Sequence, residues 1–222
     1  MTDCKSGWEI SSKVIWVKSF DRFYVLFSNH LFTMDNITSY RDLTIRAEAL
    51  VKDRIKGHRK GLLDQPNYLH SYRVRDLVSS HHHWDDGDYD LFLAALLHDV
   101  IEDGGVTFTD LRVMGFSERT IELVGLCSHD VSIKDKTERW LLMIAKLIQA
   151  RDDDAWRIKL ADLTDNLKQS SGLTPENRRF MVEVKAPLLS RLTKNIGFPW
   201  LTQSIYALEV EMMRQRSDMG QG

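Results

Sequence analysis

The chain has 222 residues, 43% hydrophobic and 28% charged, the balance of a globular protein able to build one real core. A net charge of −2 excludes a general attraction to nucleic acid or anionic membrane, and no run approaches the roughly 18 apolar residues of a membrane helix. Cys4 and Cys127 lie far apart without metal-type spacing, which excludes a disulfide framework and fits a reducing, cytoplasmic setting.

In chain order, residues 1–40 differ in texture from the rest. The stretch "SKVIWVKSFDRFYVLFSNHLF" is rich in β-branched and aromatic residues and reads as a short β hairpin or a disordered arm, with docking of a partner a further use for its aromatics. "FYVLF" is too short for the apolar core of a signal peptide, and Met34 is an alternative start. From Asp42 the periodicity turns helical. Leu43, Ala47, Leu50, Val51 and Ile55 share a face, and Gly57 stops the helix.

"HRKGLLDQP" reads as a loop. Helices follow at 67–80, 88–102, 107–115, 117–128, 136–150, 153–170, 176–194 and 200–216, with Pro187 expected to kink or split the penultimate one. Strand signals are absent after residue 40. The expected fold is an all-α bundle over residues 41–217, with residues 1–40 as an appendage.

The stretch "LFLAALLHDVIEDGG", Leu91 to Gly105, carries the chemistry. Seven apolar residues run into His98 and Asp99, and Glu102 and Asp103 follow before two glycines. On a helix, His98 stacks with Glu102 and Asp99 with Asp103. That sets carboxylates at a helix C-terminus, where the macrodipole disfavours them. A bound divalent cation accounts for the arrangement better than stability does. Singly, His98 reads as a hydrogen-bonded core histidine and the acids as solvated; following a buried run together, they favour metal.

Further ligands come from "NYLHSYRVRDLV", where His70 shares an apolar face with Val74 and Leu77, and from "RIKLADLTDNL", with Asp162 and Asn166 four apart. Each alone is more often structural; the three sets together are a stronger signal. His81, His82 and His83 diverge by adjacency and read as an exposed connection. His129 in "CSHDVS" reads as solvated, bordering the cleft. Asp152 to Asp154 suit the positive end of a helix.

These residues resemble the HD-domain phosphohydrolases, and more closely the hydrolase domain of the RelA/SpoT alarmone enzymes and their small single-domain relatives. The likeness runs from about Asp42 to Leu167 through "RK", "PNYLH", "AALLHDVIEDGGVTFTDL", "GFSERTIELV" and "KLADLTDNL". HD alone is a weak signal; HDxxED after an apolar helix, with an upstream histidine and a downstream KLADxxxN, is specific.

The resemblance implies that His70, His98, Asp99 and Asp162 ligate one divalent metal, typically manganese, and that Glu102 and Asp103 orient and deprotonate the attacking water. It also implies that Asn166 meets the ribose and that Arg59 and Lys60 meet the base and phosphates. The implied substrate is a nucleotide, (p)ppGpp, cleaved to GDP or GTP and pyrophosphate. No nucleic-acid or membrane partner is implied, and homo-oligomerisation stays open.

The chain departs from the pattern in a longer loop between Lys60 and His70, and in Ser71 where proline is usual. The likeness covers the hydrolase half of the long enzymes alone, so hydrolysis is the only activity it implies. Two rival readings are a phosphohydrolase for another nucleotide and a metal-binding module without turnover.

Overall fold

In a computed structural model, the structure describes residues 14–19, 22–27, 30–59, 62–81, 88–198 and 201–220. Strands β1 (Val14–Ser19), β2 (Arg22–Phe27) and β3 (His30–Thr33) form an antiparallel sheet in that order, pairing Val14 with Phe27 and Tyr24 with Thr33. Helix α1 (Met34–Arg54) follows at once and so begins at Met34 rather than Asp42. Its first residues, such as Ile37 and Thr38, are weak helix formers without an apolar period, so the helical pattern becomes legible only at Leu43.

The connection after α1 is a correction to its reading as loop. β4 (His58–Arg59) pairs antiparallel with β5 (Leu62–Pro66), with a register shift between His58 and Arg59. The two residues of β4 cannot display an alternation, and the five of β5, LLDQP, show none and end in a proline, which is why no strand signal marked the pair.

Helices α2 (Tyr68–Ser80), α3 (Asp88–Leu97), α4 (Phe108–Val113), α5 (Glu118–Cys127), α6 (Lys136–Ala150) and α7 (Asp153–Lys168) then build the bundle expected from sequence. It is completed by α8 (Pro175–Phe180), α9 (Ala186–Ile196) and α10 (Thr202–Gly220). Between α8 and α9 the chain widens into a π turn, Met181–Lys185. Pro187 lacks an N–H and its ring crowds the carbonyl four residues back, so the wide turn lets the helix pass without a break.

Two helices form the centre. Every residue of α3 from Leu91 to Leu97 is buried, because a helix apolar all round has to be enclosed by others; α1, α2, α5 and α7 enclose it. Each such leucine contributes roughly 1.5–3 kcal/mol of burial. The second central helix is α7, buried from Ala155 through Asp165 although it includes Arg157, Lys159, Asp162 and Asp165. Ionised groups at such depth need partners or a metal. Asp152 caps α7 by accepting from Ala155 N–H at 3.1 Å, and Arg119 pairs with Asp152 and Asp154, so this acidic run is structural.

Regular helix ends at Leu97, five residues earlier than the spacing predicts. The His98 ring hydrogen-bonds the Ala95 carbonyl at 2.9 Å, and the Val100 N–H reaches Leu97 O at 3.0 Å in a tightened turn. The chain then coils on, with Asp103 N–H to Asp99 O and Gly104 N–H to Val100 O. This corner turns His98 and Asp99 inward while separating them from Glu102. It depends on Gly104, where a Cβ would lie 2.6 Å from Val100 O and 3.0 Å from Arg54 Cβ. Gly104→Ala is therefore expected to destabilise the protein by about 1–3 kcal/mol, read as a lower midpoint in urea at unchanged slope.

Candidate active site

Three elements meet at one point: α2 supplies His70, the corner after α3 supplies His98 and Asp99, and α7 supplies Asp162. His70 Nε2 lies 3.1 Å from Asp162 Oδ1 and 3.6 Å from Asp99 Oδ2. His98 Nε2 lies 3.2 Å from Asp99 Oδ1 and 3.9 Å from Asp162 Oδ1. The sequence-predicted ligand set thus converges, and His70 and His98 are almost fully buried.

The donor chemistry fits a metal. His98 gives its Nδ1–H to the Ala95 carbonyl, and its buried Nε2 has no hydrogen-bond partner. His70 gives its Nδ1–H to Asp165 Oδ2 at 2.7 Å. Both rings are therefore fixed in the tautomer that turns an Nε2 lone pair toward two carboxylates, which is how outer hydrogen bonds prepare imidazole ligands. Unless a proton or a metal ion sits between them, lone pairs would face lone pairs. The cluster is of the kind that holds a divalent metal.

The electrostatics show the same demand. Burial disfavours charge on His70, yet its contacts with Asp162 and Asp165 and the charge of Asp99 push its pKa up to about 9. Asp162 is buried, which opposes ionisation, but Lys159 and the two histidines hold it well below the usual carboxylate range. Lys159 Nζ lies 2.8 Å from Asp162 Oδ2. Asp103 shifts upward, through burial and the charges of Asp99 and Glu102.

A cavity of about 240 Å³ opens over these groups. Its wall includes His70, Asp99, Asp162 and Asp103, the polar Arg59 and Asn166, and also His129, Trp140, Lys159 and Lys185. Arg59 donates to Asn166 Oδ1, and Asn166 donates to Asp162 Oδ1 at 2.5 Å. Lys60 lies outside the described residues, as do His82 and His83. His81 is half-buried rather than exposed. A larger hollow of about 390 Å³ between α9 and α10 contains none of the predicted site residues, and its Lys194 and Glu209 pair with each other.

Sequence reasoning missed three participants and misjudged the exposure of a fourth, His129, which it had placed at the border of the cleft. Asp165 orients His70 and is itself held by Arg73 at 2.7 and 3.0 Å; its spacing three residues after Asp162 was the available signal. Lys159, three residues before Asp162, offered the same signal. Lys185 reaches the cavity from the π turn, its ammonium 5.1 Å from the Trp140 ring centroid. His129, read as solvated, is half-buried and bound to Glu102: its backbone N–H and its Nδ1 both lie 2.7 Å from Glu102 Oε1. Of the two predicted acids, Asp103 lines the cavity, whereas Glu102 turns to His129.

No protein-family profile matches the chain. Curated relatives do. It is 34% identical over 143 residues to the bifunctional (p)ppGpp synthase/hydrolase SpoT of Escherichia coli, covering 57% of this chain and 20% of that protein. To the guanosine-3′,5′-bis(diphosphate) 3′-pyrophosphohydrolase of Haemophilus influenzae it is 33% identical over 153 residues, 67% of this chain and 22% of the relative. The chain spans about a fifth of the length of these relatives. A solved structure, described as a metazoan ortholog of SpoT that hydrolyses ppGpp, superposes with a TM-score of 0.64 at 27% identity, covering 79% of this chain and 95% of that one. Over its helical bundle the chain is similar to these SpoT hydrolases. No helix among the described residues is long and apolar enough to cross a membrane.

Proposed function

We propose that the HD domain, residues 41–217, hydrolyses (p)ppGpp at its 3′-pyrophosphate, giving GDP or GTP and pyrophosphate in the cytoplasm. The observation that carries this reading is the pair of buried imidazoles with Nδ1 engaged and Nε2 facing Asp99 and Asp162, beside a cavity walled by basic groups. His70, His98, Asp99 and Asp162 would hold one divalent metal, manganese being the one the family resemblance implies and one that their mixed N and O donors can bind. When bound, it supplies Lewis acidity and a water of lowered pKa.

The remaining residues have roles that follow from chemistry. Arg59 and Lys60 take the base and phosphates through charge-assisted hydrogen bonds, with Asn166 at the ribose. Asp103, whose pKa is raised by burial and its acidic neighbours, accepts the proton of the attacking water. Glu102 completes the acidic pair through its bonds to His129.

Lys185 adds a cation with no carboxylate within ion-pair distance among the described residues. Lys185→Gln is expected to raise KM for ppGpp about tenfold, the weight of one lost phosphate contact, and Lys185→Arg to restore most of it. Steady-state kinetics across salt concentration would check both.

The deciding experiment incubates metal-stripped, manganese-reconstituted protein with ppGpp, pppGpp, the adenine counterpart and plain nucleotides, with products separated by anion exchange and Asp99→Ala alongside. Pyrophosphate released from the guanosine alarmones and lost in the variant supports the reading. Turnover of a different nucleotide moves the substrate, and bound metal without turnover of any substrate removes the mechanism.

A further inference from the structure

The proposed reaction breaks the bond between phosphorus and the ribose 3′ oxygen. That oxygen departs as an alkoxide, a poor leaving group unless it is protonated as the bond breaks. Asp103 begins as the base, so a second group has to begin protonated. None of the ligands qualifies, since each must offer a lone pair to metal.

His129 is placed for this task. Its Nδ1 is spent on Glu102, at 2.7 Å from both carboxylate oxygens, and the same carboxylate accepts the His129 backbone N–H. The backbone bond forces Glu102 to act as an acceptor, so the ring proton at Nδ1 points to it. That leaves Nε2 as the ring nitrogen with no partner among the described residues, on a residue that lines the cavity shared with Asp103. The loop is held independently: Lys146 Nζ donates to Gly125 O at 2.6 Å and Ser128 O at 2.8 Å, and Asp130 is occupied by Ser132 N–H and hydroxyl. The charged groups around the pair are thus Lys146 and Asp130 from this side, Asp103 from the corner after α3 and Lys159 from α7.

Resting on the reading above, we infer that His129, oriented by Glu102, is the general acid that protonates the leaving 3′ oxygen. Water oxygen bonds to phosphorus and its proton passes to Asp103; the bond from phosphorus to the 3′ oxygen breaks, and His129, entering the step as the doubly protonated imidazolium, gives its Nε2 proton to complete the ribose hydroxyl and is left neutral with Nδ1–H still held by Glu102. A carboxylate fixing one imidazole nitrogen so that the other handles the proton is a recurrent device in acyl transfer.

The test varies the leaving group. His129→Asn keeps an amide donor near the Nδ1 position for Glu102 and deletes Nε2. It is expected to lower kcat for ppGpp by about 10²–10⁴-fold, the range of a general acid. On bis(p-nitrophenyl) phosphate, whose phenolate leaves without a proton, it is expected to slow the reaction by under about fivefold. Equal losses on both substrates would reduce His129 to a positioning residue for Glu102, and an unchanged ppGpp rate would remove it altogether; either overturns the inference.

Should His129→Asn fail to fold, the wild-type protein decides. A rate nearly independent of leaving-group pKa across aryl and alkyl phosphodiesters supports an acid, and a steep dependence overturns it. Absence of ppGpp turnover by wild type would sink the substrate reading by itself, leaving the acid role to be settled by that same dependence.

Discussion

For the proposed hydrolysis of (p)ppGpp, Asp162→Asn is expected to reduce kcat by about a thousandfold or more, beyond the 10–100-fold that loss of an outer partner usually costs a metal site. Asp162 is where the site's contacts converge: His70, Lys159 and Asn166 all reach its carboxylate, at 3.1, 2.8 and 2.5 Å. An amide of the same shape removes the charge that Lys159 pairs with and that the proposed metal would need. It also strands Lys159 as a buried ammonium, and breaking a buried pair in this way costs about 3–5 kcal/mol.

Asp165→Asn makes the contrast. Asp165 touches His70 only at Nδ1, from the far side of the ring, so its loss is expected to fall within about 10–100-fold. Metal content by elemental analysis and kcat on the manganese-loaded proteins, alongside melting curves, would separate the two. Equal damage from both variants would mean that Asp162 is not a ligand.

How far the site was legible depended on whether a residue's reason lay in its own helix. The run Leu91 to Leu97 had to be buried, so the ionisable groups at its end had to be neutralised, and His98 and Asp99 followed from that alone. His70 and Asp162 were weak singly and became readable as parts of a set. Asp165, Lys159 and Lys185 stayed hidden because their function is to face another element: Asp165 meets a histidine 95 positions away, a relation no periodicity encodes. His129 was misread for the same reason. Its loop is polar, as solvated loops are, but Glu102 reaches it across 27 positions.

The bundle was legible from 3.6-residue periodicity, whereas the end of α3 was not. The spacing of His98 and Glu102 suits a continuing helix, yet the His98 ring engages the Ala95 carbonyl and the chain tightens there. Local hydrogen bonding by a side chain overrode the periodic pattern at the one place where the site needed a corner.

The second large effect concerns metal removal and turns on His70 of α2. With its pKa at about 9, His70 carries a proton at pH 7.5 in the metal-free protein, and a metal ligand has to be deprotonated. Manganese binding at that pH is therefore expected to release about one proton, and apparent affinity to rise about tenfold per pH unit up to about pH 9 and level off above it.

The sign for stability is the reverse. Because the folded-state pKa of His70 is raised above 6.5, its contribution to the metal-free fold is complete below pH 6.5 and is lost as pH rises through about 9. Metal then replaces the proton. At a free concentration a hundred times its dissociation constant it adds about 2.7 kcal/mol, or roughly 5–10 °C in Tm for a chain of this size. The stabilisation by manganese should thus be small at pH 6 and large at pH 8.5. Calorimetry in buffers of different ionisation enthalpy counts the protons, and melting curves with and without chelator across pH measure the gap. Binding without proton release at pH 7.5, or a gap that shrinks with rising pH, would mean that His70 Nε2 does not meet the metal.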